Sequence, residues 1–149
     1  MPADCKVILL AEDNPDDVVL TKMALSQNNI ANELVVVSNG REALDYLFGM
    51  GDYAEREGQD PCLILLDLNM PKINGLEVLE AIRADERTRL IPTVILTTSN
   101  IERDLVKSYS LGANSYILKP VDFAQFAEAI KQLGLYWLVL NEAPPGGVS

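Results

Sequence analysis

Histidine is absent from the 149 residues. That excludes histidine-ligated metal sites, histidine general bases and a self-phosphorylating histidine donor among these residues. Cysteine occurs twice, at Cys5 and Cys62, with no C-x-x-C spacing. Both are expected to be free thiols in a reducing compartment. Basic residues are scarce: 12 Lys and Arg stand against 22 Asp and Glu, a formal net charge of −10. Such a chain, with no basic stripe, repels phosphate backbones, so nucleic acid is not an expected partner. No apolar run approaches the roughly 18 residues that cross a bilayer, so no membrane partner is expected. Met1-Pro2-Ala3-Asp4-Cys5-Lys6 does not read as a secretion signal, and a cytoplasmic location is expected.

What is present alternates between two kinds of segment. Short aliphatic runs stand at Val7–Ala11, Leu34–Val37, Leu63–Leu66, Val94–Leu96 and Tyr116–Leu118. Runs without polar alternation suit strands buried on both faces, the habit of parallel sheets. Between them lie amphipathic segments. Asn14-Pro15 supplies an N-cap and a first helical Pro, with Val19, Leu20, Met23 and Ala24 as the expected apolar face. Residues 41–48, a segment after Asn74-Gly75 and residues 102–111 repeat apolar side chains at helical spacing. Asp122 with Gln125 reads as a capping box ahead of Phe123, Phe126, Ala127, Ile130 and Leu133. The pattern predicts a (βα)5 flavodoxin-like, doubly wound parallel sheet in the order 2-1-3-4-5. A single domain is expected over 1–140, with a polar loop at 49–61 and a disordered tail at 141–149.

In such sheets the functional site lies at the C-terminal strand ends. Those ends carry Glu12-Asp13, Asp67, Thr97-Thr98 and Lys119. Three converging carboxylates repel one another, and a hard divalent cation relieves the repulsion. Oxygen donors without His or Cys select Mg²⁺, which keeps waters and accepts a phosphoryl oxygen. Lys119 offers a point charge for phosphate and Thr97 a hydroxyl donor. Asp67 among these groups is arranged to take a phosphoryl group as nucleophile. Counting back from the acids sets Cys5 and Cys62 at an offset of three residues on neighbouring strands. That offset is about 10 Å, too far for a disulfide.

At these residues the chain resembles the response-regulator receiver domains of two-component signalling. The resemblance runs over about residues 6–134, through Glu12-Asp13, Leu65-Leu66-Asp67-Leu68-Asn69-Met70-Pro71, Gly75, Ile91–Thr97, Gly112-Ala113, Tyr116 and Lys119-Pro120. It implies that Asp67 is the phospho-acceptor and that Glu12, Asp13, Asp67 and the Asn69 carbonyl hold Mg²⁺. It implies that Thr97 and Lys119 bind phosphoryl oxygens and that Thr97 and Tyr116 form a switch. A sensor histidine kinase is the implied partner, and the chain is implied to be a signalling domain rather than an enzyme. The 49–61 loop and the Trp137-Leu138 ending are similar to the stand-alone regulators that partner cyanobacterial phytochromes. Thr98 departs from the Ala of many receivers, which is expected to narrow access to Asp67. Leu133 to Leu140 is apolar all round, so Tyr136, Trp137 and Leu140 are expected to form a homodimer interface.

Two other readings share the architecture. A haloacid-dehalogenase-like phosphatase needs a second Asp two residues after its nucleophile, where this chain has Asn69. A flavin- or nucleotide-binding module wants a phosphate loop after the first strand, where Asn14-Pro15-Asp16-Asp17 is acidic.

Overall fold

The computed structural model describes residues 7–30, 32–54, 60–68, 70, 72–98 and 115–134. Five strands, β1 (Val7–Ala11), β2 (Glu33–Val37), β3 (Leu63–Asp67), β4 (Thr93–Thr97) and β5 (Ser115–Leu118), form one sheet in the order 2-1-3-4-5. All four pairings are parallel. The described helices are α1 (Pro15–Gln27), α2 (Gly40–Phe48), α3 (Gly75–Ala84) and α4 (Phe123–Leu133). The helix expected over 102–111 and the tail expected at 141–149 lie outside the described residues. Among the described residues, no helix is long and apolar enough to cross a membrane.

The period-two alternation of strands divides the interior in two. Ile8, Leu10, Leu63, Leu65, Val94, Leu96 and Ile117 face one layer, closed by α1 and α4 through Ala24, Leu25, Phe126 and Ile130. Leu9, Ala11, Ile64, Leu66 and Ile95 face the other, closed by α2 and α3 through Ala43, Leu47, Val78, Leu79 and Ile82. Every residue of β3 and β4 is buried, whereas the edge strand β2 is only partly covered. The wholly apolar runs of the sequence are thus the two-sided central strands.

Local chemistry sets the helix starts. Asn14, Asn39, Asn74 and Asp122 each accept a backbone N–H of the first turn. The capping box belongs to α3, where Asn74 and Glu77 reciprocate. At α4 the expected box is corrected. Asp122 caps the Gln125 N–H at 2.8 Å, but the Gln125 side chain turns to β5, accepting from Leu118 N–H at 3.0 Å and donating to Leu118 O at 2.9 Å. That bond pair fixes the chain just before Lys119.

Three further expectations are overturned. On α1, Val19 and Met23 are exposed, and Thr21, Ala24 and Leu25 face inward. Thr21 tolerates burial because its hydroxyl donates to Asp17 O at 2.8 Å. On α4, Phe123 is exposed while Phe126 and Ile130 are buried. Cys62 is disulfide-bonded, not a free thiol. The sequence has one other cysteine, Cys5, which lies outside the described residues. The expected offset assumed that Asp13 and Asp67 mark one level. Ile8 pairs with Leu63, so the true register differs from that assumption by one residue.

Gly40 starts α2 against the connection between β3 and α3. A Cβ there would overlap the carbonyl of Ile73, a backbone atom with little freedom to retreat. Gly40→Ala is expected to lower stability by about 1–3 kcal/mol, the usual penalty of overpacking. Urea denaturation checks this, and an unchanged midpoint contradicts it.

Candidate functional site

Each expected acid stands at or just beyond a strand end. Glu12 follows β1, and its N–H donates to Val37 O at 2.9 Å, which extends the ladder by one residue. Its carboxylate accepts from Asn14 N–H at 3.2 Å. Asp13 is exposed beside it, and Asp67, the last residue of β3, is buried. Gly75 keeps the next turn tight: its N–H donates to Leu68 O at 3.0 Å, and a Cβ would overlap the Asp67 carbonyl.

Lys119 arrives from β5, tied to β4 by its N–H on Thr97 O at 2.8 Å. Its Nζ lies 2.8 Å from Glu12 Oε1, 3.2 Å from Asp67 Oδ1 and 3.2 Å from Asp17 Oδ2. The ammonium has three hydrogens, and three carboxylates surround it. Burial pushes the Glu12 carboxyl up to about 7; Lys119 pulls against that rise and Asp67 adds to it. Burial works against the Lys119 charge, but its contacts with Glu12 and Asp67 outweigh it and raise the amine above the ordinary lysine range.

Carboxylate oxygens of Glu12, Asp13 and Asp67 lie within 4.8 Å of one another. Glu12 Oε1 is buried and, its ion pair with Lys119 aside, accepts no hydrogen bond among the described residues. An all-oxygen, net-negative donor set with an under-satisfied buried oxygen fits a hard divalent cation.

Thr97 ends β4 and is fully buried, and Thr98 is exposed. Tyr116 is half-buried on β5, opposite Ile95. Asn69, Tyr136, Trp137 and Leu140 lie outside the described residues. The structure therefore brings Glu12, Asp13, Asp67 and Lys119 together and sets Thr97 on the neighbouring strand end. Asp17 was missed as a separate participant. The sequence marks Asp17 only as one of the acids that open α1, and its contact with Lys119 joins residues far apart in the chain.

A parallel 2-1-3-4-5 sheet with acids and a lysine at its C-terminal edge defines a receiver domain of two-component signalling. Residues 8–131 match the response regulator receiver domain family, and the chain belongs to it. The solved structure of the bacteriophytochrome response regulator RtBRR is similar at 53% identity and a TM-score of 0.86, over 95% of this chain and 86% of that one. The bacteriophytochrome response regulator AtBRR is similar at 51% identity and a TM-score of 0.84, over 90% of this chain and 96% of that one. Response regulator Rcp1 of Synechocystis sp. is 38% identical over 133 residues, 89% of each chain. Its solved structure, described as a Mn(2+)-bound form, matches with a TM-score of 0.72 at 35% identity, over 97% of each chain.

Removing Lys119 alone leaves Glu12 and Asp67 buried together without their cation. Lys119→Met is expected to lower stability by about 3 kcal/mol in metal-free buffer, as for other broken buried pairs. Adding Glu12→Gln in that background is expected to recover part of the loss. A double-variant cycle by urea denaturation checks this, and strictly additive losses contradict it.

Proposed function

We propose that this receiver accepts a phosphoryl group on Asp67 from a sensor histidine kinase, with Mg²⁺ held by Glu12, Asp13, Asp67 and the Asn69 carbonyl. The observation that carries the reading is the Asp67–Lys119 contact of 3.2 Å, formed beside the Glu12-Asp13 pair. An Asp67 carboxylate oxygen attacks the phosphorus of a phosphohistidine. The P–O bond forms as the N–P bond breaks, and the imidazole leaves with the electron pair and takes up a proton. Lys119 orients Asp67 beforehand and then meets a phosphoryl oxygen, and the Thr97 hydroxyl donates to another. The bound cation supplies charge neutralisation at the phosphoryl oxygens. On this reading the chain is a signalling domain that assists its own phosphorylation and dephosphorylation.

The phytochrome partnership is supported by the names of its relatives RtBRR and AtBRR, which are bacteriophytochrome response regulators. The Mn(2+)-bound form of Rcp1 supports the divalent cation. Movement of the Thr97 hydroxyl toward the phosphoryl group opens room for Tyr116, a local charge change biasing a two-state element. Self-association through Tyr136, Trp137 and Leu140 rests on the apolar sequence there and is measured by sedimentation of wild type against Tyr136→Ala/Trp137→Ala.

Incubation with acetyl phosphate and Mg²⁺ is expected to add one phosphoryl group to wild type. The gain disappears with a chelator or in Asp67→Asn. Labelling that survives either change contradicts the reading. Faster phosphotransfer from a bacteriophytochrome kinase than from unrelated histidine kinases supports the partnership, and equal rates contradict it.

A further inference from the structure

Lys119 has one partner that the acceptor chemistry does not require. Asp17 Oδ2 lies 3.2 Å from its Nζ, at the same distance as Asp67 Oδ1. The three contacts surround the ammonium with carboxylate oxygens. An arriving phosphoryl oxygen must compete with them for Lys119.

The three partners are not equally placed to yield. The side chains of Glu12 and Asp67 are 0% and 3% exposed, so neither can exchange the ammonium for water. Asp17 is 18% exposed and stands in the first turn of α1, at the rim of the strand-end crevice. Its backbone is held independently of its carboxylate: its N–H donates to Asn14 Oδ1 at 3.4 Å, and its carbonyl accepts from Thr21 Oγ1 at 2.8 Å. The carboxylate can therefore turn toward water while the helix stays in place. It also sets a partly exposed negative charge 3.2 Å from the ammonium that an anionic phosphodonor has to meet.

We infer that Asp17 is a positioning residue that restrains Lys119 in the unphosphorylated protein, slowing phosphorylation of Asp67 and disfavouring the more negatively charged donors. The inference rests on the reading of Asp67 as acceptor. In the step concerned, an Asp67 oxygen attacks the donor phosphorus, a P–O bond forms, and the bond from phosphorus to the leaving group breaks. With acetyl phosphate the leaving group is acetate, which departs with the electron pair. With phosphoramidate it is ammonia, which departs with its nitrogen already protonated. Lys119, once released by Asp17, is free to pair with the transferring phosphoryl oxygens. Glu12 and Asp67 still hold the ammonium in the crevice, so losing Asp17 removes the restraint without losing the placement.

The test compares initial rates of phosphorylation, read as mass gain of intact protein at saturating Mg²⁺, for wild type, Asp17→Asn and Asp17→Glu. Asp17→Asn is expected to react about three- to fivefold faster with acetyl phosphate, the effect of a partly exposed charge on a barrier. The gain is smaller with phosphoramidate, which carries less negative charge. Asp17→Glu keeps the charge and stays nearer the wild-type rate. A role in folding alone would not sort the two donors by charge. An Asp17→Asn rate with acetyl phosphate equal to or below wild type overturns the inference, as does an equal gain with both donors. Mass gain that persists in Asp67→Asn overturns instead the reading of Asp67, and no gain in wild type overturns both.

Discussion

The site depends on one buried ammonium. Lys119 reaches into the crevice between β1 and β3 and touches Glu12, Asp67 and Asp17 at once. Without it, two carboxylates with almost no access to water would face each other at the strand ends, an arrangement that costs several kcal/mol. The same cation that makes the acidic cluster tolerable also lies beside the side chain proposed to react. Structural and chemical roles coincide in one Nζ atom.

The fold exists to deliver that atom. Parallel pairing places the C-terminal ends of β1, β3, β4 and β5 along one edge, and the central runs are apolar because both faces are covered. Lys119 is set by three bonds at and just before its position: its own N–H on Thr97 O, and Gln125 gripping both the N–H and the carbonyl of Leu118. Asp67 is set by β3 and by the close approach of Gly75 to its carbonyl. Away from this edge, Arg87 links the end of α2 to the approach to β3, contacting Leu47 O and Asp60 and lying over the Phe48 ring at 5.6 Å.

Much of this was legible in the sequence, for physical reasons that also mark its limits. Strands buried on two faces leave unbroken aliphatic runs, so the sheet and its order were readable, each strand to within a residue. The site acids and Lys119 were readable because each abuts such a run. The orientation of α1 was not, because Thr21 satisfies its own hydroxyl and turns inward while Val19 and Met23 face water. Asp17 was read only as part of an acidic stretch, since its contact with Lys119 joins residues about a hundred positions apart. The bonded state of Cys62 was not legible, because two cysteines 57 positions apart without a C-x-x-C spacing carry no sign of pairing.

The central claim is that, of the three carboxylates touching Lys119, Asp67 is the one that becomes phosphorylated. Borohydride reduces an acyl phosphate to the alcohol, converting an aspartyl phosphate into homoserine. After phosphorylation in Mg²⁺, reduction and peptide mass mapping, the account predicts homoserine at position 67 and nowhere else. Reduction at Asp13 or Asp17, conversion of Glu12, or an unaltered Asp67 in protein that has gained a phosphoryl group would contradict it.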